Sequence, residues 1–424
     1  MIRTRYIPNF LKIYNILWWT ALPFLRRNKR LAPTFDKRMD ARHLQPSDIW
    51  IQSASAGESF LSLAILKQMT PEYPVKVLLT ATTDQGLDIL RKGIVQSPPH
   101  PFIRATVSVF PFDMTKTVMT AVHVINPKVM VLLETELWPG LLHALKKNKT
   151  CIQILNARMS AKSLRHYKLI RKVWPKLSPD KVLAISAEDA KRYGQIFPDT
   201  LIATMDNIKF DNISPWEPPD LDNRPSTIGK LISRDHPLSI LASIRRQEEP
   251  DLIHLIKRLQ KKYPEQTIAI FTRHMHRITP VFKKLRHQGL SPILGSEITQ
   301  PLKGPGLILW DRFGELRAAY AHASTVFVGG SLRPLGGQNF LEPAVLGIPT
   351  TIGPHWKNFT WIGEQIFNTG VVTRCPNWKS VADTMVNHLN SAPNKTQLSK
   401  KITDYILTRR SGSKIAAQSI LTRL

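Results

Sequence analysis

From Ile49 onward the chain alternates short apolar runs with longer stretches in which apolar residues recur every three or four positions. IWIQ, VKVLLTATT, PKVMVLLETE, TCIQILNAR and DKVLAIS each have the length and β-branched content of a strand, and each gives way to polar residues and a helical period. A strand buried on both faces reads as a continuous apolar run, so this series predicts a parallel sheet covered by helices. Between Phe210 and Arg224 the pattern breaks into FDNISPWEPPDLDNR, dense in Pro and Asp, which reads as a linker over 211–224. A second series follows: HPLSILASI, QTIAIFTRH, GLILWDRF, STVFVGGS and IPTTIG. The expectation is an α/β chain of two doubly wound, Rossmann-like domains, 31–210 and 225–424, with a cleft between them and a C-terminal helix in the second. Ligands of such sheets collect beyond the carboxyl ends of the strands, so the chemistry is sought where the apolar runs stop.

Ahead of the first strand stand basic MIRTRYIPNFLK, apolar-leaning IYNILWWTALPFL and basic RRNKR. The thirteen residues Ile13 to Leu25 fall short of the ~20 a membrane-spanning helix needs, and Pro23 interrupts them. No small-residue cleavage site follows, which argues against a secretory signal. Residues 1–30 therefore read as an interfacial membrane anchor, with Trp18 and Trp19 at headgroup depth and Arg26, Arg27, Lys29 and Arg30 against anionic lipid. The alternative is a helix packed on the protein's own core.

Composition sharpens the search for a partner. Fifty-nine Lys and Arg against 31 Asp and Glu leave a formal charge of +28, spread along the chain. Nucleic acid, an anionic membrane surface or a phosphorylated substrate would answer it. Cys151 and Cys375 stand far apart without metal-ligand spacing, which argues against a disulfide scaffold and a zinc site and fits a reducing compartment.

At the strand ends of the first domain, IWIQ runs into Ser53-Ala54-Ser55-Ala56-Gly57 and then Glu58, near the first turn of a helix. Taken alone, Glu58 reads as a helix cap. VMVLL ends in Glu134-Thr135-Glu136-Leu137-Trp138-Pro139, two acids at a strand tip in a basic protein. CIQIL ends in Asn156-Ala157-Arg158, with Ser160, Ser163 and Tyr167 beyond, and MDNIKFD sets Lys209 just ahead of the linker. In the second domain Arg273, His274, His276 and Arg277 follow AIF; the arginines favour phosphate over metal. Asp311, Gly314 and Glu315 follow GLILW. The most specific stretch is VGGSLRPLGGQNFLEP, whose paired glycines open toward a helix and build a loop fit to cradle a phosphate, with Glu342 placed to accept ribose hydroxyls. It is neither GxGxxG nor a P-loop, and no G-x-S-x-G elbow occurs.

Together SASAGES, TATTDQG, PFD, ETELWP, NARMSAKS, NIKFD, FTRHMHR, FGELRAAY and GGSLRPLGGQNFLEP resemble, in order and spacing, the 3-deoxy-D-manno-octulosonic acid (Kdo) transferases, from the N-terminal segment to about Phe359. The resemblance implies a GT-B glycosyltransferase on the cytoplasmic face of the cell inner membrane that moves Kdo from CMP-Kdo to the tetra-acylated lipid A precursor. It implies inversion at the anomeric carbon, no metal and no other cofactor, an acceptor-facing N-terminal domain and a nucleotide-holding C-terminal domain. By motif position it makes Glu58 the proton acceptor and Glu134 and Lys209 transition-state stabilisers. It assigns CMP contacts to Thr272, Arg273, Phe313, Gly314, Glu315, Asn339, Phe340, Leu341 and Glu342. Asp206 stands where the family has Gly, Thr272 where it has Pro and Gln338 where it has His, and Ser243-Ile244-Arg245-Arg246-Gln247-Glu248-Glu249 replaces its S-T-H-x-G-E-E. Two other classes stay open: a GT-B transferase using another activated sugar, and a nucleic-acid binder suggested by charge alone. Against the second, the chain carries no RRM, KH or helix-turn-helix signature.

Overall fold

The computed structural model describes residues 6–28, 31–213, 227–231 and 236–424. The linker from 214 onward, and Lys29 and Arg30 of the anchor, lie outside them. The chain forms two units, Met1–Ile213 with Arg409–Leu424, and Ser214–Thr408.

The first unit opens with α1 (Tyr6–Arg27) and a short α2 (Phe35–Met39). It then alternates β1 (Ile49–Ser53), α3 (Ala56–Gln68), β2 (Val75–Ala81), α4 (Asp84–Gln96), β3 (Ile103–Val109), α5 (Thr115–Ile125), β4 (Val129–Leu133), α6 (Pro139–Lys147), β5 (Cys151–Ala157), α7 (Ala161–Lys168), β6 (Lys181–Ala184), α8 (Ala187–Gly194) and β7 (Leu201–Thr204). Serine and threonine hydroxyls start four of the helices: Ser55, Thr83, Ser160 and Ser186 each accept from a backbone N–H three residues on. The strands pair in parallel in the order β3-β2-β1-β4-β5-β6-β7. The chain reverses direction across the sheet between β1 and β4, and there a ligand crevice opens in such folds. Strand pleating sends alternate residues to two cores, with Trp50, Met130 and Leu132 on one face and Ile49, Ile51, Val129, Val131 and Leu133 on the other.

The second unit carries α9 (Thr227–Leu231), β8 (Leu238–Ile244), α10 (Glu249–Lys262), β9 (Thr267–Thr272), α11 (Ile278–His287), β10 (Pro292–Leu294), β11 (Leu307–Trp310), α12 (Leu316–Tyr320), β12 (Thr325–Val328), α13 (Leu341–Val345), β13 (Thr350–Ile352), β14 (Val372–Arg374), α14 (Trp378–Ser391) and α15 (Lys395–Leu407). Its sheet is also parallel, in the order β10-β11-β9-β8-β12-β13-β14. The last helix, α16 (Gly412–Leu421), was assigned from sequence to the second domain and instead belongs to the first unit. Its Ala416, Ala417 and Ile420 complete the core formed with Leu61, Ile65 and Leu133, which gives this apolar stripe a face to bury.

Helix α1 continues through Pro23, four residues before its end, so the proline does not break it. One face of the helix packs on the protein's own core, as the alternative reading expects, and the other is exposed. Leu11 and Leu22 are buried, and Trp18 turns inward onto Phe112 with ring centroids 5.6 Å apart rather than outward with Trp19. Ile13, Ile16, Leu17, Trp19 and Phe24 are exposed. Among the described residues no helix is long and apolar enough to cross a membrane.

One carboxylate ties this helix down. Asp113 is buried and accepts from the Tyr14 hydroxyl at 2.8 Å and from the first N–H groups of α6, Gly140 at 3.0 Å and Leu141 at 2.6 Å. A Cβ at residue 140 would lie 2.8 Å from the Asp113 carbonyl oxygen, so glycine is what lets α6 start there. Asp113→Ala leaves three donors without this acceptor and should lower stability by about 3 kcal/mol. Urea unfolding followed by circular dichroism measures that loss as a lower midpoint at unchanged slope.

Candidate functional site

Three of the sequence-singled residues of the first unit come together beyond the carboxyl ends of β1, β4 and β7. Glu58 opens α3 through a capping box: its N–H donates to Ser55 Oγ at 3.4 Å, and its carboxylate accepts from the N–H groups of Ser55, at 3.2 Å, and Ala54. The cap is therefore real, and it also fixes the carboxylate at the tip of β1. Glu134 follows β4 in the left-handed region, φ +52°. Its carboxylate accepts from Lys209 Nζ at 2.6 Å, with both side chains largely covered.

Lys209 reaches Glu134 because its loop is held on the protein side. Asn156, also left-handed at φ +52° on the end of β5, accepts from Ile208 N–H at 3.0 Å, and Asn207 accepts from Lys209 N–H at 3.0 Å. The Nδ2 groups of both buried asparagines have no hydrogen-bond partner among the described residues. Sequence reading placed Asn156 at the end of CIQIL and Asn207 at the head of NIKFD and gave neither a role of its own. Tyr193, which it missed, donates to the Glu134 carbonyl at 2.7 Å from full burial.

Burial sets the electrostatics. It raises the Glu58 pKa to about 7, with the negative charges of Glu136 and Glu134 adding to the shift and the N–H bonds from Ala54 and Ser55 opposing it. Glu136 is raised too, chiefly by burial, while accepting from Trp138 Nε1 at 2.7 Å. A carboxyl that titrates near neutrality beside a Lys–Glu ion pair is able to exchange a proton with a bound hydroxyl.

The second unit holds a cavity of about 650 Å³ at the ends of β8, β9 and β11. Thr272, Arg273, Phe313, Gly314 and Glu342 of the expected nucleotide contacts line it, joined by His274, Arg312 and Arg317. The aromatic Phe313 is 86% exposed. Glu315, Asn339, Phe340 and Leu341 are not among the lining residues. Phe340 is buried against Trp356 and Phe359, and Asn339 donates to Glu342 at 2.8 Å.

Two expectations here need correction. The N–H groups after β12 do not form an open phosphate cradle: the buried Glu248 carboxylate accepts from Gly330 at 2.6 Å and from Ser331 and Leu332 at 2.9 Å each. An internal carboxylate thus fills the role proposed for a ligand. Arg277 is likewise committed, with both Nε and a terminal nitrogen on Glu249 at 3.0 and 2.6 Å, and so is not a cavity cation. Among the departures, the Thr272 hydroxyl donates to the His274 carbonyl at 3.1 Å, and Gln338 packs against Gly330.

Two seven-stranded parallel α/β sheets, each with polar candidates beyond its strand ends, are the architecture of the GT-B glycosyltransferases. A glycosyltransferase from Rickettsia africae shares that fold at a TM-score of 0.53 and 12% identity, over 89% of this chain and 97% of its own. Residues 26–212 match the family model described as 3-deoxy-D-manno-octulosonic-acid transferase (kdotransferase). The chain is 29% identical over 350 residues to the 3-deoxy-D-manno-octulosonic acid transferase of Haemophilus influenzae, covering 80% of this chain and 78% of the relative. To the Rickettsia conorii transferase of the same name it is 26% identical over 382 residues, covering 88% and 78%. Residues 26–212 thus match the Kdo transferase family model, and the chain is similar to Kdo transferases over most of its length.

The Glu58 titration can be read directly by carboxyl-carbon NMR. A midpoint about 7 is expected, and Glu136→Gln, which removes the stronger of the two neighbouring charge effects while leaving burial, should move it down. Because the native pKa lies above the unfolded one, Glu58 costs stability progressively as pH rises through that same window.

Proposed function

We propose that this protein is an inverting glycosyltransferase that moves Kdo from CMP-Kdo to a lipid A precursor at an anionic membrane surface. The observation that carries the reading is the buried Glu58 beside the Glu134–Lys209 pair, in a chain similar to the Kdo transferases. An acceptor hydroxyl attacks the anomeric carbon of the sugar; the new C–O bond forms on the face opposite the breaking bond to CMP, which departs with the electron pair. Glu58 takes the hydroxyl proton, and its raised pKa makes it a competent base at neutral pH. Positive charge grows on the sugar ring and negative charge on the leaving phosphate. Glu134 answers the first and Lys209 the second, and holding the two against each other beforehand keeps both in place without rearrangement.

The nucleotide falls to the second unit in this reading. Arg273, Arg312 and Arg317 bring positive charge to its cavity, Phe313 offers an exposed ring to a base, and Glu342 offers an acceptor for hydroxyls. CMP carries one phosphate and Kdo one carboxylate, which suits a cavity with more cations than a neutral sugar would need. On the first unit, the outward Ile13, Ile16, Leu17, Trp19 and Phe24 of α1, with Arg26 and Arg27 at its end, suit a lipid interface. The formal charge of +28 favours the same anionic surface and a phosphorylated acceptor.

Incubated with CMP-Kdo and lipid A precursor, the purified protein should yield a product heavier by Kdo units in mass spectrometry; turnover only with another nucleotide sugar would overturn the donor assignment. Glu58→Gln should cost roughly 10²–10⁴-fold in kcat, and near-normal turnover removes Glu58 from the role of base. The membrane reading is tested on the exposed face alone, since α1 also packs inward. Ile16→Glu, Trp19→Glu and Phe24→Glu together should lower co-sedimentation with phosphatidylglycerol vesicles, and undiminished binding sinks it.

A further inference from the structure

The chain's last segment grips the loop that presents Lys209. Ser411 Oγ donates to Asp206 Oδ2 at 2.6 Å, Ser413 N–H donates to Asp211 Oδ2 at 2.6 Å, and Arg410 Nε donates to the Phe210 carbonyl at 3.2 Å. These three bonds bracket Lys209 on both sides in sequence. Between them Gly412 is buried and backbone meets backbone: a Cβ there would lie 2.3 Å from the Asp206 carbonyl oxygen and 2.7 Å from Ile208 N. Asn156 holds the same Ile208 N–H from the strand side. The segment is anchored in turn, because Ser419 on α16 exchanges hydrogen bonds with Gln153 on β5, both at 2.8 Å.

From this geometry we infer that residues 410–413, with Asp206 as their principal partner, are positioning residues that set the Lys209 ammonium against Glu134. The inference rests on the role proposed above for Lys209. It also accounts for Asp206, one of the positions where this chain departs from the family pattern: the aspartate is the acceptor for Ser411. Lys209 sits on a long, flexible stem, so its ammonium is placed only as well as its backbone is. The fixed points of that backbone are Asn156 on one side and the returning C-terminus on the other.

The test compares Ser411→Ala, Ser411→Thr and Lys209→Ala, singly and as Ser411→Ala with Lys209→Ala, in the CMP-Kdo assay on the full chain. Ser411→Ala should lower kcat about tenfold, with a smaller change in the donor KM, since a misplacement on the order of 1 Å costs up to ~10²-fold. Ser411→Thr keeps the hydroxyl and should restore most of the rate. On the Lys209→Ala background Ser411→Ala should cost nothing further, because the group it positions is gone. Unchanged kcat in Ser411→Ala, or an equal loss on both backgrounds, overturns the inference. Full turnover by Lys209→Ala overturns instead the catalytic role of the lysine. A readout apart from activity is the side-chain resonance of isotopically methylated Lys209, expected to shift or broaden in Ser411→Ala; an unmoved resonance counts against positioning even where activity falls.

Discussion

Two left-handed residues on neighbouring strand tips, Glu134 and Asn156, set the arrangement of the first unit's site. A non-glycine residue in that region costs about 1–2 kcal/mol, so it persists only where its surroundings hold it. Glu134 is held by its N–H on the Leu155 carbonyl and by its own carbonyl, which accepts from Arg158 N–H and the buried Tyr193 hydroxyl. Asn156 is held by Met205 and by the Ile208 N–H that its side chain receives. The first turn ends β4 and leaves the Glu134 carboxylate able to meet Lys209. The second anchors the loop from which Lys209 comes. The ion pair is thus a consequence of backbone geometry at the point where the sheet's order reverses.

The same geometry concentrates negative charge. Glu134 and Glu136 both raise the Glu58 pKa and Glu134 raises that of Glu136, and among the contacts described Glu134 has the Lys209 ammonium in direct contact. Glu134 lies against the Lys209 ammonium at 2.6 Å, while burial and the neighbouring charges push Glu58 toward protonation. Neighbouring carboxylates thus sit in unlike surroundings, Glu58 against backbone N–H groups and Glu134 against an ammonium. That difference follows from burial and from which groups point at each oxygen.

How far the sequence could be read follows from burial. The strands legible as apolar runs are the inner members of both sheets, β1, β2, β4, β5 and β6 in one and β8, β9, β11, β12 and β13 in the other. The four that escaped, β3, β7, β10 and β14, are the four edges. Their residues are half-covered, as in Leu201–Thr204 where none is buried, so the continuous apolar signal is absent. The terminal helix was misassigned for a different reason: its apolar stripe says that it packs, not against which sheet. Glu248 was illegible because its partners, the N–H groups of Gly330 to Leu332, lie more than eighty residues away. Local sequence shows that a glycine loop offers donors, and only the fold shows that a carboxylate already takes them.

Glu58 shows why a structural and a functional reading of one residue need not compete. As the third residue of a capping box it satisfies the free N–H groups at the head of α3, and that bond network removes its rotamer freedom. A solvent-exposed cap would titrate as an ordinary carboxylate. This one is 9% exposed and faces the charges of Glu136 and Glu134, so the residue that fixes the helix also carries a proton affinity matched to neutral pH. Capping supplies the orientation and burial supplies the basicity. Removing the cap would then disturb both together, and a glutamine, which keeps an acceptor oxygen but no titratable group, separates them.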